Sequence, residues 1–364
     1  MRVINQVFRY FRLIMIVIRN IEKHMSVESL IHSIENYISS YLLSFLKLSR
    51  NTHFKIEDVI ISNYNINVII KIGVENYLLR INVEQQSGMP HQLEIEYKIH
   101  KYLSQFKITP QVFLIDISRN WIPYDFILEE FTPGDHLNYD DLESIRDAAK
   151  ILAKLHSIPI PNPNFLIMWR DPLEDLLKEL AKMYEDYEKR RVKNRDLLKY
   201  GKLLLHKLQK ITPEYKNIFK PNSIVHTDVV NDNFLRSNKC IKIIDWEKPR
   251  IDDESYDLCV FLGKPPQLWA SKRLMTEYEK NVFIETYSRF RNIGPESIIE
   301  KIFIRQPYVS FRWILWASHR KADVDEKIIP SEIIEFHKKN YHRYEKTSAL
   351  ENLIELIELI ENLN

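Results

Sequence analysis

Short apolar runs that alternate with polar residues occupy one part of the chain, between residues 56 and 129. Such runs predict β-strands, because successive side chains of a strand point to opposite faces. Gly73 lies in a short gap between two of the runs, which indicates a hairpin. The predicted strands cover residues 56–61, 66–72, 76–81, 112–115 and 125–129.

Helical spacing dominates the rest of the chain. Apolar residues recur every three or four positions, the period that places them on one face of a helix. A leading helix precedes the first strand, and a helix over 92–106 separates the third and fourth strands. Further helices are predicted over residues 142–156, 172–210 (one or two helices), 271–291, 295–321 and 331–362. This order predicts an α+β protein, in which an antiparallel sheet is followed by a larger, mainly helical part.

Composition limits the class of protein. The 364 residues are enough for two packed lobes, and 45% apolar with 28% charged residues is typical of a globular chain. A net charge of +2, from 52 basic and 50 acidic residues, argues against a nucleic-acid-binding surface. The two cysteines, Cys240 and Cys259, lack CxxC spacing. This usage favours a reducing, cytoplasmic environment, and we expect both thiols to be small buried groups.

The first 24 residues form a separate extension. Four arginines bracket an apolar run at 13–18, which is too short to span a bilayer. Three interpretations stay open for this extension: an appended segment, an upstream start-codon artefact, or a basic helix on a membrane surface. We predict no transmembrane segment.

A polar constellation follows two apolar strands in the second half of the chain. Residues 224–225 lead into His226-Thr227-Asp228, and Asn233 follows five residues after Asp228. A second apolar stretch, 243–244, ends at Asp245. Carboxylate and amide oxygens are hard ligands that suit Mg²⁺, and a carboxylate can take the proton of an attacking hydroxyl. Phosphoryl transfer requires this set of groups in one cleft.

The constellation resembles the signature of the aminoglycoside phosphotransferase and choline kinase superfamily, in which His-x-Asp-x-x-x-x-Asn precedes Ile-Asp-[Trp/Phe]-Glu. Residues 253–258 are similar to the segment that follows in the family, and the resemblance is strongest over 224–258. It implies a two-lobed protein-kinase-like fold and an ATP- and Mg²⁺-dependent transfer to a hydroxyl of a small molecule. It also implies that Asp228 is the catalytic base and that Asn233 and Asp245 hold the metal.

The same resemblance implies a nucleotide site in the predicted sheet. Arg80 stands where kinases carry a phosphate-binding Lys, and Glu96 on the next helix would be its partner. Asn67 matches one position of the family's phosphate loop, although residues 62–67 contain no glycine. Glu130 and Phe131 match the hinge, whose backbone would read adenine. Whether the donor is ATP or GTP stays open.

Three further polar residues receive structural roles. His226 and His156 are expected to brace the fold. Asp257 is expected to anchor the segment that follows it, around Leu258.

The acceptor site is expected in the helical part, facing Asp228. Carboxylates beside aromatic faces suit a cationic amine. The candidates are the acidic run Asp252, Asp253 and Glu254 and the aromatic-rich helix over 308–316, in which Tyr308, Phe311 and Leu315 stand at helical spacing. The helical spacing of the second group is also that of an ordinary core. The acceptor therefore stays open among amino alcohols, aminoglycoside-like and sugar-like molecules.

These patterns predict three regions. They are the extension 1–24, an N-lobe with a leading helix and a five-stranded sheet over 25–131, and a helical C-lobe over 132–364. Two alternative functions stay open. Arg80 and the glycine-free loop suggest a pseudokinase that binds nucleotide without turnover. A protein Ser/Thr kinase would need an activation segment, which we do not find after Asp245. The oligomeric state stays open.

Overall fold

A computed structural model describes residues 27–85, 91–237 and 240–361 of the chain. The extension 1–24 lies outside the described residues. Within them, no helix is both long and apolar enough to cross a membrane.

Eleven strands are present in the described residues, and the first five form the main sheet. They are β1 Phe54–Ile61, β2 Asn65–Ile72, β3 Glu75–Asn82, β4 Val112–Asp116, β5 Asp125–Glu130, β6 Asp135–His136, β7 Ile167–Met168, β8 Ser223–Val225, β9 Phe234–Arg236, β10 Ile241–Ile243 and β11 Arg250–Asp252. All five predicted strands are confirmed, each to within two residues at either end.

In the sequence, the helices lie before, between and after the strands of this sheet. They are α1 Val27–Tyr37, α2 Leu43–Phe45, α3 Gln92–Leu103, α4 Leu142–Leu155, α5 Pro172–Glu188, α6 Arg195–Tyr215, α7 Ser255–Leu262, α8 Lys264–Ala270, α9 Glu277–Arg291, α10 Pro295–Asp325, α11 Ile334–Lys339, α12 Tyr341–Thr347 and α13 Leu350–Glu361. The region 172–210 contains two helices, because Asn194 ends the gap between them as the N-cap of α6. The predicted helix 331–362 is divided into three.

The chain divides into two compact units. Among the described residues, the first consists of 27–85, 113–131 and 328–339, and the second of 91–112, 132–237, 240–327 and 340–361. The chain thus passes from the first unit to the second after Phe131. Helix α3, which the sequence assigned to the N-lobe, groups with the second unit. Residues 328–339, which it assigned to the C-lobe, group with the first.

The first unit is built on a five-stranded sheet with the order β1-β2-β3-β5-β4. The β1–β2, β2–β3 and β3–β5 pairs are antiparallel. Alternate residues of β2 are buried, because their side chains share one face of the sheet. The Tyr37 ring of the leading helix lies 5.0 Å from the Phe126 ring of β5, so this helix covers the sheet.

A late segment of the chain completes the first unit. The Tyr124 hydroxyl donates to the Glu332 carboxylate at 2.6 Å. The His337 Nε2 atom lies 3.0 Å from the Asn63 carbonyl oxygen. Tyr124 and Asn63, the two residues that this segment contacts, both belong to the first unit.

The second unit is mainly helical and contains two small three-stranded sheets, β10-β9-β6 and β7-β11-β8. Its helices carry conventional caps. Asp171 caps α5 with Pro172 in the first turn, and Thr276 and Glu279 form a capping box at the start of α9. This capping box explains why α9 begins later than the predicted residue 271.

The expectation for the cysteines is half correct. Cys259 is fully buried in α7, whereas Cys240 is exposed at the start of β10. The prediction for Cys240 was wrong because this residue lies in the β9–β10 turn, where its backbone N–H donates to the Ser237 hydroxyl.

Candidate active site

The segment after β8 is held by a buried carboxylate from α7. Asp257 Oδ2 accepts the His226 N–H at 2.8 Å, and Asp257 Oδ1 accepts the Thr227 N–H at 2.8 Å. Thr227 has a φ of 75°, so the chain turns sharply immediately before Asp228. Asp257 was expected to anchor the segment that follows it, and that role stays a prediction. In the structure Asp257 anchors this preceding loop, across 30 residues of sequence.

A second layer of hydrogen bonds supports Asp257. His156 Nε2 lies 3.2 Å from Asp257 Oδ2, and its Nδ1 lies 2.8 Å from the Tyr287 hydroxyl. Burial raises the pKa of Asp257, but the His156 contact and the backbone donors outweigh burial and lower it overall. Asp257 is therefore held as a carboxylate, and His156 orients it.

His226 joins the two strands of the constellation. Its Nδ1 accepts the Asp228 N–H at 3.2 Å, and its Nε2 lies 2.9 Å from the Ile244 carbonyl oxygen. Its ring lies 4.4 Å from the buried Trp246 ring. The side chain is 0% exposed, which leaves it no path to a substrate. This geometry suits a bracing residue.

Asp228 and Asn233 are in direct contact. The Asn233 Nδ2 donates to Asp228 Oδ2 at 3.1 Å and to the Asp228 carbonyl oxygen at 2.8 Å. The short 3₁₀ turn Asn231–Asn233 brings the two residues together. Asp228 Oδ1 is buried and has no hydrogen-bond partner among the described residues. One carboxylate oxygen is thus fixed, and the other is available to a proton donor.

Asp245 lies close to this pair. The Ile244 N–H donates to the Asn233 carbonyl oxygen at 2.9 Å, which places the end of the β10 segment beside the loop. Asp245 has a φ of 69°, a left-handed conformation that turns the chain out of the strand direction. Burial raises the pKa of Asp228 to about 7, and the Asp245 charge adds to the increase. The structure therefore brings Asp228, Asn233 and Asp245 together.

The raised pKa of Asp228 predicts a pH-dependent effect on stability. An acid with a raised folded-state pKa binds more protons when folded, so its charge destabilises the fold as pH rises from about 4 to 7. In metal-free, nucleotide-free protein, Asp228→Asn should nearly match wild-type stability near pH 4, where the Asp228 carboxyl is protonated in the folded state and still partly protonated in the unfolded state. At pH 8.5 it should be more stable by about 2–4 kcal/mol, because the wild-type carboxylate is then charged in a buried position. Denaturant unfolding at the two pH values measures the difference; a pH-independent difference would contradict the assignment.

The donor set fits a hard divalent cation. Because the Asn233 nitrogen is committed to Asp228, its Oδ1 oxygen points elsewhere and can serve as a ligand. The described residues contain no group of three or more His, Cys, Asp or Glu side chains arranged for a metal. Asn233 and Asp245 therefore suit a cation whose remaining ligands come from phosphates and water, as is usual for Mg²⁺.

The residues predicted for the nucleotide lie in both units. Asn67 and Arg80 are register partners on β2 and β3. Arg80 is 6% exposed, and the Asn67 Oδ1 atom is buried without a hydrogen-bond partner among the described residues. Glu130 ends β5, and the half-buried Phe131 follows it. Glu96 is 1% exposed on α3 of the second unit, so its pairing with Arg80 stays a prediction.

The glycine-free loop closes without a left-handed residue. The Ser62 N–H donates to the Asn65 carbonyl oxygen at 2.9 Å, which forms the turn between β1 and β2. Tyr64 is buried in this turn, and its carbonyl oxygen accepts the Val83 N–H at 2.9 Å. No positive φ occurs over 62–67, so glycine is not required for the turn itself.

The predicted acceptor carboxylates are occupied within the protein. Asp252 accepts two hydrogen bonds from Arg305 Nη2, at 2.7 and 2.8 Å, and Asp253 accepts one from Lys301 at 2.8 Å. Glu254 accepts a hydrogen bond from the Ser223 hydroxyl at 3.1 Å. The helical positions Tyr308, Phe311 and Leu315 are all 0% exposed. Both groups therefore belong to the core of the second unit.

Sequence reasoning missed a charged cluster near Asp228. Glu179 Oε1 accepts from Lys248 Nζ at 2.9 Å and from Arg312 Nε at 3.2 Å. The Arg312 charge also counteracts the increase in the pKa of Asp228. One signal was present in the sequence, because Arg312 is the one charged residue within the apolar and aromatic run 307–316. No sequence pattern distinguished Glu179, because it lies in a helix with many other charged residues.

Comparisons with known proteins agree with this geometry. The model of the phosphotransferase enzyme family matches residues 61–290. An ethanolamine kinase from Plasmodium vivax has a similar structure, with 15% identity, a TM-score of 0.63, and coverage of 88% of this chain and 89% of that chain. A choline kinase from Cryptosporidium parvum follows, with 17% identity, a TM-score of 0.57, and coverage of 85% and 92%.

A third similar structure is spectinomycin phosphotransferase in complex with ADP and spectinomycin, with 13% identity, a TM-score of 0.53, and coverage of 83% of this chain and 94% of that chain. The comparison with curated proteins found no match. The matches to solved structures confirm the predicted kinase-like fold.

Proposed function

Because this chain belongs to the phosphotransferase enzyme family, we propose that it transfers the γ-phosphoryl group of ATP, with Mg²⁺, to a hydroxyl of a small molecule. The observation that carries the proposal is the contact between Asp228 and Asn233 beside the Asp245 charge. Hard oxygen ligands and a carboxylate with one free oxygen are the groups this reaction needs.

Asp228 acts as the base in this proposal. Its Oδ2 is held by Asn233, so Oδ1 is directed at the hydroxyl of the acceptor and takes its proton as the new P–O bond forms. A pKa of about 7 makes the carboxylate a better base than an ordinary aspartate at neutral pH. Asp257 and His226 keep the loop in the shape that this geometry requires.

Asn233 and Asp245 would hold Mg²⁺, which when bound neutralises charge on the phosphates of the nucleotide. Arg80 and Asn67 would contact those phosphates, Glu96 would orient Arg80, and the backbone at Glu130 and Phe131 would bind adenine. Support for nucleotide use comes from the ADP complex of spectinomycin phosphotransferase. The intact set of Asp228, Asn233 and Asp245 argues against a pseudokinase.

Substitution of Asp245 tests the metal assignment. Asp245→Asn should weaken Mg²⁺-dependent ATP binding by about tenfold or more, because a neutral amide is a weaker ligand for a hard cation than a carboxylate. ATP affinity measured in EDTA should not change. Titration with a fluorescent ATP analogue, with and without Mg²⁺, gives both values. An unchanged dependence on Mg²⁺ in the variant would refute the assignment of Asp245.

A further inference from the structure

A cluster of four cationic side chains and two carboxylates lies beside the loop that carries Asp228. Lys248 and Arg312 share the Glu179 carboxylate, and Arg250 and Arg305 share the Asp252 carboxylate. Four cationic side chains are thus matched by two carboxylates. A hydrogen bond links this cluster to the site: the hydroxyl of Thr227, the residue before Asp228, donates to the Lys248 carbonyl oxygen at 2.9 Å.

Two guanidinium groups in the cluster have unused donors. Arg312 is bound by Glu179 through Nε alone, and its Nη1 and Nη2 atoms make no hydrogen bond to a described residue. Arg250 is bound by Asp252 through Nε, and its Nη1 and Nη2 atoms are buried without a hydrogen-bond partner in the described part of the chain. Arg250 is 3% exposed. Buried donors without partners are costly, so an anion or ordered water is expected beside them.

The aromatic faces in this region are already covered by a cation of the protein. The Arg250 guanidinium carbon lies 3.3 Å from the centre of the Trp169 ring and 4.1 Å from that of Tyr256. These rings would be the natural place for a quaternary ammonium group. Arg250 covers these rings, and Asp252, Asp253 and Glu254 are paired internally. Glu179 Oε2 is buried without a hydrogen-bond partner among the described residues, but its carboxylate is already shared by Lys248 and Arg312 through Oε1, so the described cluster offers a cationic acceptor less than it offers an anionic one.

We propose that the acceptor alcohol carries an anionic group, a carboxylate or a phosphate monoester, and that Arg312 binds this group with Arg250 reinforcing the positive potential behind it. The proposal rests on the function proposed above. A guanidinium with two free Nη nitrogens matches the paired oxygens of either anion. Glu179 fixes the Arg312 side chain by its Nε, which directs the remaining donors.

A set of three-carbon alcohols that differ in one substituent tests the charge preference. The probes are glycerate, glycerol phosphate, uncharged glycerol and the cationic aminopropanediol. With Mg-ATP, kcat/KM should be about tenfold or more higher for an anionic probe than for the neutral and cationic probes. Glycerate against glycerol phosphate distinguishes a carboxylate from a phosphate. Equal or higher kcat/KM for glycerol or aminopropanediol, or no reaction with either anion, would overturn the proposal.

The variant Arg312→Gln tests whether Arg312 is the residue that causes the preference for anionic acceptors. In this variant the ratio of kcat/KM for the preferred anion to kcat/KM for glycerol should fall about tenfold or more, whereas an effect through the pKa of Asp228 would change both probes alike and leave the ratio unchanged. Arg312→Lys should restore part of the affinity. Lys321→Gln removes a charge from the same helix at a half-buried position, where Lys321 pairs with Glu345, and should have no effect on the charge preference. If Arg312 instead stabilises the transferred phosphoryl group, kcat falls alike for the anionic and neutral probes and the ratio stays unchanged, and the proposal is wrong.

The two proposals fail in different ways. If wild-type protein neither hydrolyses ATP nor phosphorylates any of the four probes, the phosphotransferase function fails. If it phosphorylates the neutral or cationic probe at least as well as the anionic ones, only the inference about the acceptor fails.

Discussion

Asp228→Asn should lower kcat for phosphoryl transfer by about 10²–10⁴-fold, because the variant loses the oxygen that accepts the proton of the hydroxyl. Asparagine keeps the shape of the side chain, so the contact with Asn233 can be retained and Mg-ATP affinity should change little. Coupled measurement of ADP release gives kcat, and the nucleotide titration described above gives affinity. Activity close to wild type would exclude Asp228 as the base.

Two comparisons make this result specific. Asp232→Asn changes a carboxylate four residues away in the same loop and should leave kcat within about twofold, since its charge is the smallest of the contributions to the pKa of Asp228 and it has no other place in the proposed mechanism. The metal-free Asp228→Asn protein should be more stable than wild type above pH 8, so its loss of activity is not due to unfolding. Opposite changes in stability and activity are expected of a strained functional group.

Asp257→Ala should destabilise the protein by about 3 kcal/mol or more, since it leaves two buried backbone N–H groups and His156 without their acceptor. The loop that carries Asp228 loses its support in the same variant, so kcat should fall as well. Denaturant unfolding at pH 7 measures the free energy, and ADP release measures kcat.

Matched variants separate a buried anchor from an ordinary charge. Asp257→Asn keeps one acceptor oxygen and should lose clearly less stability than the alanine variant. Asp140→Ala removes an exposed carboxylate, 69% exposed and paired with Arg273, and should cost about 1 kcal/mol or less. If Asp257→Ala behaves like Asp140→Ala, the anchoring role is wrong.

Local patterns were sufficient to predict the sheet and the central motif. The alternating apolar residues of β2 and Gly73 in the next turn fix a hairpin through interactions between near neighbours. The five-residue interval between Asp228 and Asn233 allows their contact, because a single turn can bring them together. In each case the decisive contact is made within a few residues of sequence.

Long-range ion pairs account for what the sequence did not predict. Asp252 and Asp253 were interpreted as substrate ligands, yet their partners Arg305 and Lys301 lie about fifty residues further along, on α10. Glu179 and Arg312 are 133 residues apart. No local pattern identifies which acidic residue meets which basic one, because such pairs depend on how the helices pack.

The place of residues 328–339 in the sheet unit has a consequence for synthesis on the ribosome. Glu332 and His337, which bind Tyr124 and Asn63, are translated about two hundred residues after the last strand of the sheet. The sheet of the nascent chain therefore cannot form these last contacts until nearly the whole polypeptide has been translated. A gene truncated before this segment would deprive the N-terminal half of part of its own structure, although the deletion lies at the far end of the reading frame.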